Sequence, residues 1–499
     1  MDFPNQLYDA RAEFIAMLAV AVSALYDSLS SGALIWASGL TIYRIFFHPL
    51  RSYPGPLIGR ISGFYHTYHA LKKDQARNLE RLHEKYGTIV RYGPNHISLR
   101  SAEAVKMLYT NSRYVRKADS YLAFPRNPEN ASLFSCISKQ VHARKRRILR
   151  HGFSDSALKS AEITIKKHVN TFCRCLEFLQ NDSQEGDAVC GNATPLLGQW
   201  SRPKNFSDWI NRFTFDVSSD LSFSKTFDTM RYATNRHVIK ILHTTLWADN
   251  VTGTSMKLFH TWRLKWLLFS YHVRSTVTFD SFILEASNDR MSKVVDSKKD
   301  FMFWLTGAVD PSTGDTFSME ELVEEAILLI TAGSDTTSTA ISSTMFYLLH
   351  NTDKLAKLQS EIRNVFTSTE QIQFSNDLQS CTYLRACINE GLRLSPPAGS
   401  VLHRQVEPSG VQVGEHFFQE GVNIGVPVFA LHHDEEYFSD PFSFQPERWI
   451  VGETLKDGTI ITPESLRHSS SAFMAFSAGT RDVSESRWRT FKSRFSSRP

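Results

Sequence analysis

EEAILLITAGSDTTST, residues 324–339, is an apolar run that turns polar at its centre. The flanking isoleucines and leucines predict a buried helix. Gly333 weakens a helix, and serine or threonine hydroxyls can bond back to carbonyls one turn earlier and bend it. A bend that brings Asp335 and hydroxyls into a core suits a small ligand or a proton relay. A helix end followed by a Ser/Thr-rich turn would read the same way, so this stretch alone leaves both open.

A second predicted helix carries a pair of opposite charges near its end. Residues 384–397 read LRACINEGLRLSPP, in which Glu390 and Arg393 are three residues apart and share one helix face. The prolines end that helix. A surface ion pair would give the same spacing. Residues 444–449 read FQPERW, and Arg448 could reach Glu390 to complete a group of three charges.

A third stretch has the layout of a metal-binding loop but lacks the ligand. Residues 476–485 read FSAGTRDVSE. An aromatic residue, a glycine, an arginine and then a ligand can present one thiolate to a metal. Gly479 would make the tight turn, and Arg481 would hold an anionic group nearby. The ligand position holds Val483, and no cysteine occurs after Cys387.

Length and composition set broad limits. The 499 residues, 42% of them hydrophobic, are enough for one large domain or two ordinary ones. A net charge of +5 is mild for this length and predicts no nucleic-acid partner. From about residue 102 to residue 394 the pattern is mostly helical. Short strands are expected at residues 88–92 and 96–99 as a hairpin, and at 410–413, 416–418 and 422–428. The expected fold is therefore mainly α with a minor β part.

The N-terminal region favours a membrane anchor. Residues 14–25 and 33–47 are apolar, although each is short or interrupted for a clean span. Arg44, Arg51 and Arg60 follow them, which would keep the rest of the chain on the cytosolic side. A buried core helix is the alternative. The expected organisation is an anchor and junction at 1–50, a main domain at 51–482 and a basic tail at 483–499.

Taken together, the order and spacing of these stretches resemble the cytochrome P-450 family of haem-thiolate monooxygenases. Residues 332–337 are similar to the family's oxygen-binding motif on its long central helix. Glu390 and Arg393 match its Glu-x-x-Arg motif, and residues 446–449 match the segment that bears the partner arginine. Residues 43–56 resemble the junction between anchor and domain in fungal members, which often serve secondary metabolism.

The resemblance implies a role for each matching residue. Asp335 and Thr336 would be the acid and alcohol that deliver protons for cleavage of the O–O bond, and Gly333 would leave room for oxygen. Glu390, Arg393 and Arg448 would form a structural charge triad beneath the haem. Residues expected to contact the haem are His142, Arg146, Gly333, Arg404, Phe476, Gly479 and Arg481. For Arg144 and Lys145, which lie beside His142, a solvated helix face or a reductase-docking surface is the preferred interpretation.

The chain departs from the family pattern at one place. The pattern is Phe-x-x-Gly-x-Arg-x-Cys-x-Gly, and this chain has Val483 in place of the cysteine and Glu485 in place of the last glycine. Valine cannot bind iron, and the thiolate drives O–O cleavage in this chemistry. The family's last helix and C-terminal β element also have no counterpart in residues 483–499. Because Val-Ser can be encoded by the usual start of an intron, the tail is interpreted as translated intron from a mis-spliced or mis-called gene.

Two functions follow as expectations. The first is a membrane-anchored monooxygenase of the endoplasmic reticulum, with its domain in the cytosol, that uses haem b, O2 and electrons from an NADPH-dependent reductase. Its substrate would be a lipophilic small molecule of fungal secondary metabolism. The second is an inactive or mis-spliced product without the thiolate, which at most binds a ligand or a partner protein.

Overall fold

The computed structural model describes residues 32, 34–125, 127–153, 155–177, 203–256, 259, 264–292, 300–373 and 375–481. Within these residues the chain is mainly helical with a small β part, as the sequence predicts. The α-helices are α1 (Leu57–Ile61), α2 (Phe64–Leu71), α3 (Gln75–Tyr86), α4 (Ala102–Val105), α5 (Lys139–Leu149), α6 (Asp155–Glu177), α7 (Phe206–Phe223), α8 (Arg236–Gly253), α9 (Leu264–Leu268), α10 (Ser270–Ser292), α11 (Phe301–Thr306), α12 (Met319–His350), α13 (Thr352–Val365), α14 (Asn376–Ser380), α15 (Thr382–Leu394), α16 (Val428–His432) and α17 (Pro463–Ala472).

The strands form one mixed sheet and one hairpin. They are β1 (Ile89–Gly93), β2 (His96–Leu99), β3 (Val115–Lys117), β4 (Arg404–Val406), β5 (Val411–Val413), β6 (His416–Phe418) and β7 (Asn423–Gly425). The sheet order is β1-β2-β7-β4-β3, and β5 pairs with β6. The pair β2–β7 is parallel, and the other neighbours are antiparallel.

The predicted strands are present, with two differences. The hairpin of β1 and β2 forms as expected. The strand expected at residues 422–428 covers only β7, because Pro427 is followed by the first turn of α16. The sequence analysis did not predict β3 or β4, which have three residues each, too few to show an alternating pattern.

The long helix α12 runs unbroken through the polar stretch at residues 331–339. It begins with a capping box, in which the Ser318 hydroxyl accepts from the Glu321 amide and the Glu321 carboxylate accepts from the Ser318 amide. It continues for 32 residues to His350. A helix end at the polar stretch, the alternative that the sequence left open, is therefore excluded.

Two glycine contacts set how closely other helices cross α12. A Cβ placed on Gly391 of α15 would lie 2.3 Å from the Thr344 hydroxyl of α12. A Cβ on Gly333 of α12 would lie 2.8 Å from the Ser218 hydroxyl of α7. Both distances are shorter than any ordinary contact, so a glycine at each crossing lets the helices approach. The apolar half of α12 then packs into a helical core with α7, α8 and α10.

The expected N-terminal span lies mostly outside the described residues. Residues 34–47 are helical, and none of the described helices is long and apolar enough to cross a bilayer.

Candidate active site

The polar stretch of α12 presents a row of hydroxyls on an open face. Ala332, Thr336 and Thr339 are exposed, although the turns before them are largely buried. The Thr336 hydroxyl donates to the Ala332 carbonyl at 2.6 Å, and the Thr339 hydroxyl donates to the Asp335 carbonyl at 3.0 Å. These hydrogen bonds to carbonyls one turn earlier hold the two hydroxyls against the helix. A bound molecule could compete with the carbonyls for the hydroxyls.

Asp335 lies beside a histidine that the sequence analysis did not single out. The His243 Nε2 atom on α8 is 3.3 Å from the Asp335 carboxylate, and each side chain is about two-fifths exposed (41% and 40%). Partial burial raises the pKa of Asp335, and His243 acts against that rise. The carboxylate and the imidazole ring therefore lie within contact distance of each other, next to the hydroxyl row. No sequence motif marks His243, because its place depends on where α8 crosses α12.

Gly333 lies where α7 crosses α12. A Cβ on it would meet the Ser218 hydroxyl of α7, so the absence of a side chain lets the two helices approach. That Gly333 also leaves room for oxygen beside a haem stays a prediction.

Glu390, Arg393 and Arg448 are brought together in the interior. The Glu390 carboxylate accepts from Arg393 Nε at 2.9 Å, Arg393 Nη2 at 2.8 Å and Arg448 Nε at 3.0 Å. The Trp449 indole and the Gln445 amide donate to the same carboxylate. Burial alone would raise the pKa of Glu390, but the two arginines hold it at about 2. A surface ion pair is excluded, because Glu390 and Arg393 are 0% exposed.

His432 connects this triad to the loop before the expected ligand position. Its ring Nε2 accepts from the Met474 amide at 2.8 Å, and its Nδ1 lies 3.2 Å from the Arg393 carbonyl. The Nδ1–H tautomer satisfies both contacts. Burial and the nearby Arg393 lower the pKa of His432 to about 3, so the ring stays neutral. The sequence around His432 gives no signal for these contacts, so it does not mark the residue as functional.

The loop at 473–481 is shaped by Gly479. Its φ is +75°, and a Cβ there would lie 1.9 Å from the Tyr109 carbonyl, so another residue would be both strained and obstructed. Phe476, three residues earlier, is 40% exposed. Val483 lies outside the described residues.

Three residues expected to contact the haem, His142, Arg404 and Arg481, lie in one region together with Lys117. Arg481 donates to the carbonyls of Cys136 and Ile137 at 2.7 and 2.9 Å. Arg404 donates to the His403 carbonyl at 3.0 Å. Lys117, which pairs with Arg404 across β3 and β4, donates to the Phe134 carbonyl. We call Lys117, Arg404 and Arg481 the cation cluster, and the neutral ring of His142 lies beside it.

The cation cluster has positive charge without matching negative charge. Burial and then Arg481, Lys117, Arg146 and Arg404 lower the pKa of His142 to about 3. Burial and then Arg404 and Arg481 lower the pKa of Lys117 well below its usual value. Among the described residues, no carboxylate pairs with Lys117, Arg404 or Arg481. Such a site favours an anionic ligand, and the two propionates of a haem fit that requirement.

Arg146 lies at the edge of this region. Its guanidinium donates to the Thr480 carbonyl at 2.6 Å, next to Arg481. Arg146 and His142 therefore both face the segment 479–481, as expected for residues one turn apart on α5.

The interpretation of Arg144 and Lys145 as a solvated or docking face is wrong. Lys145 is 1% exposed, and its ammonium is 3.1 Å from Glu325 and 3.2 Å from Glu321, both on α12. Arg144 pairs with Glu321 as well. Burial, only partly offset by Lys145, raises the pKa of Glu325 to about 7. The sequence could not predict this pairing, because it depends on the side of α5 that faces α12.

Comparisons with known proteins show the family of the chain. The cytochrome P450 family profile matches residues 49–482. The chain is similar to the cytochrome P450 monooxygenase poxM of Penicillium oxalicum, with 36% identity over 90% of this chain and 82% of that protein. It is also similar to the monooxygenases apf7 of Gibberella fujikuroi, with 34% identity over 89% of this chain and 83% of that protein, and AKT7 of Alternaria alternata, with 33% identity over 89% and 82%.

Proposed function

The chain belongs to the cytochrome P450 family, and we propose that its site is built to oxidise a lipophilic small molecule with haem b, O2 and electrons from an NADPH-dependent reductase. By family it is a monooxygenase. Fungal secondary metabolism is the proposed setting. The observation that carries the proposal is the cation cluster, which has no carboxylate partner among the residues that the structure describes.

The residues present fit a haem, which when bound supplies the activation of O2. Arg404, Arg481 and Lys117 form a largely buried positive site without carboxylates and would hold its propionates, together with the neutral ring of His142. Thr336 would offer its hydroxyl to the bound oxygen site once it is released from the Ala332 carbonyl. Asp335 and His243 would hold the proton that renews that hydroxyl. The triad at Glu390 would fix the loop below through His432.

Replacing Arg404 tests the proposed haem site. Arg404→Gln should weaken haem binding roughly 10- to 100-fold, because it removes one hydrogen bond to an ionised group. The matched control is Arg116→Gln on the same strand pair, since Arg116 contacts Asp119 and Gln405 instead. Haem transfer from each variant to a haem scavenger measures the affinity. Equal losses in the two variants would contradict a specific role for the cation cluster.

We propose further that this polypeptide does not itself carry out the oxidation, because Val483 stands where the family has its thiolate. The second candidate function is therefore a protein that binds haem, an apolar ligand or a partner without monooxygenation. Sequencing the transcript across the codons for residues 476–486 separates two origins of this sequence. A spliced form that joins Asp482 to a Cys-x-Gly segment would make the working product an ordinary monooxygenase. A transcript that encodes Val483-Ser484 and continues to Pro499 would support the second candidate.

The proposed location is the endoplasmic reticulum membrane, with one N-terminal span and the P450 domain in the cytosol. The support is the apolar content of residues 14–25 and 33–47 and the arginines that follow. In microsomes, alkaline extraction should leave the chain in the membrane, and added protease should digest the domain. Release by alkaline extraction would contradict the anchor, and full protection from protease would contradict the orientation.

A further inference from the structure

A buried carboxylate on α12 binds the loop that precedes α5. Glu325 is 0% exposed, and its two carboxylate oxygens accept from the Leu133 amide at 2.9 and 3.2 Å. The Lys145 ammonium of α5 donates to the same carboxylate at 3.1 Å. One side chain of α12 is therefore bonded both to this loop and to the helix that follows it. We call residues 132–137 the 132–137 loop.

The 132–137 loop is held together by its own hydrogen bonds. The Cys136 amide donates to the Ser132 carbonyl at 2.8 Å. The hydroxyls of Ser132 and Ser135, which are both buried, lie 3.1 Å apart. Leu133 packs against the apolar core cluster that includes α12. Because the loop is bonded across its length, a displacement at Leu133 should reach the carbonyls that follow it.

The carbonyls of the 132–137 loop bind two members of the cation cluster. The Phe134 carbonyl accepts from Lys117, and the carbonyls of Cys136 and Ile137 accept from Arg481 at 2.7 and 2.9 Å. The loop therefore sets where these two cationic side chains lie. Among the described residues, the bonds use one of the three N–H donors of the ammonium and two of the five of the guanidinium. Both cations can thus also donate to an anion.

From this arrangement we propose that Glu325 is a positioning residue for the haem propionates, because it holds the 132–137 loop whose carbonyls orient Lys117 and Arg481. Lys145 completes the arrangement, since it joins Glu325 to α5, the helix that carries His142 and Arg146. The inference rests on the haem site proposed above and adds to it a residue of α12 that acts through the loop.

An effect of the Glu325 charge alone would have the opposite sign. The titratable groups that face Glu325 are Lys145, Glu321 and Cys136. Glu325 is not among the groups that shift the pKa of Lys117 or Arg481. Removing a negative charge near an anionic ligand should strengthen binding of that ligand. Removing the anchor of the 132–137 loop should weaken it, so the direction of the change in haem affinity separates the two roles.

The test is haem transfer from the full-length protein to a haem scavenger at pH 8. At this pH the carboxyl is ionised in the wild-type protein, because burial raises the pKa of Glu325 to about 7. Glu325→Ala should weaken haem binding about 10-fold, since the Leu133 amide loses its acceptor. Glu325→Gln keeps an oxygen that can accept from this amide, and it should weaken haem binding only about threefold.

The matched control is Asp216→Ala, which removes another buried carboxylate. Asp216 is 0% exposed and accepts from the amides of Thr229 and Met230 at 2.9 and 3.0 Å, but it has no bond to the 132–137 loop. Asp216→Ala should lower the urea midpoint, because it leaves buried amides without an acceptor, and it should change the haem affinity by less than about twofold.

Each outcome decides the proposal. Unchanged or tighter haem binding in Glu325→Ala, or an equal loss in Asp216→Ala, would overturn it. If Glu325→Ala does not fold, the haem affinity of Glu325→Gln decides by the same criterion. A loss in Arg404→Gln without a loss at Glu325 would leave the cation cluster as the haem site and refute the positioning role alone. A wild-type chain that takes up no haem would refute both.

Discussion

Glu390→Gln should lower the free energy of unfolding by about 3–5 kcal/mol, the usual cost of breaking a buried charge network by removing one partner. The substitution preserves shape but removes the negative charge between Arg393 and Arg448. Both guanidinium groups would then be buried without a counter-charge, because their other partners are neutral carbonyls. Urea unfolding followed by tryptophan fluorescence measures the loss.

The chain supplies a matched control for this prediction. Glu464 and Arg467 have the same spacing of three residues and a contact of 2.6 Å, but their side chains are 74% and 71% exposed. Glu464→Gln should change the free energy of unfolding by about 0.5 kcal/mol or less. A loss of similar size in both variants would show that burial of the triad does not determine its contribution.

Acidification should unfold the haem-free protein between about pH 6.5 and pH 4. Burial lowers the pKa of five histidines that are less than 9% exposed, namely His66, His83, His142, His432 and His433. The unfolded chain binds a proton at each of these rings near pH 6.5. In the folded chain the pKa is about 4 for His83 and His433 and about 3 for His142 and His432, so these rings stay neutral until the pH falls that far. Stability is therefore present above pH 6.5 and is lost as the pH falls, by about 2 kcal/mol for each ring between pH 7 and 5.

Three buried carboxyls act in the opposite direction. Burial raises the pKa of Glu325 to about 7 and the pKa of Asp216 and Asp249 to about 6, so their protonation stabilises the fold as the pH falls. Each contributes about 1–2 kcal/mol over the same interval. The histidines prevail by about 5 kcal/mol, which is comparable with the whole stability of many domains.

The measurement is the urea midpoint at pH 7, 6 and 5. His83→Gln should reduce the pH dependence of the urea midpoint by the contribution of one ring, because His83 is buried between the Gly87 carbonyl and the Ser98 hydroxyl. His237→Gln, at an exposed position, should leave the pH dependence unchanged. A midpoint that is the same at pH 7 and pH 5 would contradict the prediction.

The sequence predicted the features that depend on local pattern. The buried helix before residue 331, the Glu390–Arg393 spacing and the turn at Gly479 all follow from residues close together in the chain, whereas the continuation of that helix to His350 was left open. The partner of Arg448 was also predictable, because the resemblance to a known family supplied the contact over 58 residues.

Features that depend on how helices cross were not predictable. Gly333 packs on Ser218, Lys145 pairs with Glu325, and His243 reaches Asp335. Each contact joins positions about 90 to 180 residues apart, and no local motif records which face of one helix meets another. The strands β3 and β4, which bring Lys117 opposite Arg404, are too short to show alternation.

We propose that this chain has the haem site of its family but no thiolate ligand. The direct measurement is the absorption spectrum of the full-length protein, purified with haem, reduced and exposed to carbon monoxide. We expect bound haem with a Soret band of a non-thiolate complex, because Val483 offers the iron no ligand. A normal thiolate-type band would contradict the missing ligand, and a soluble, folded protein that takes up no haem would contradict the cation cluster as its site.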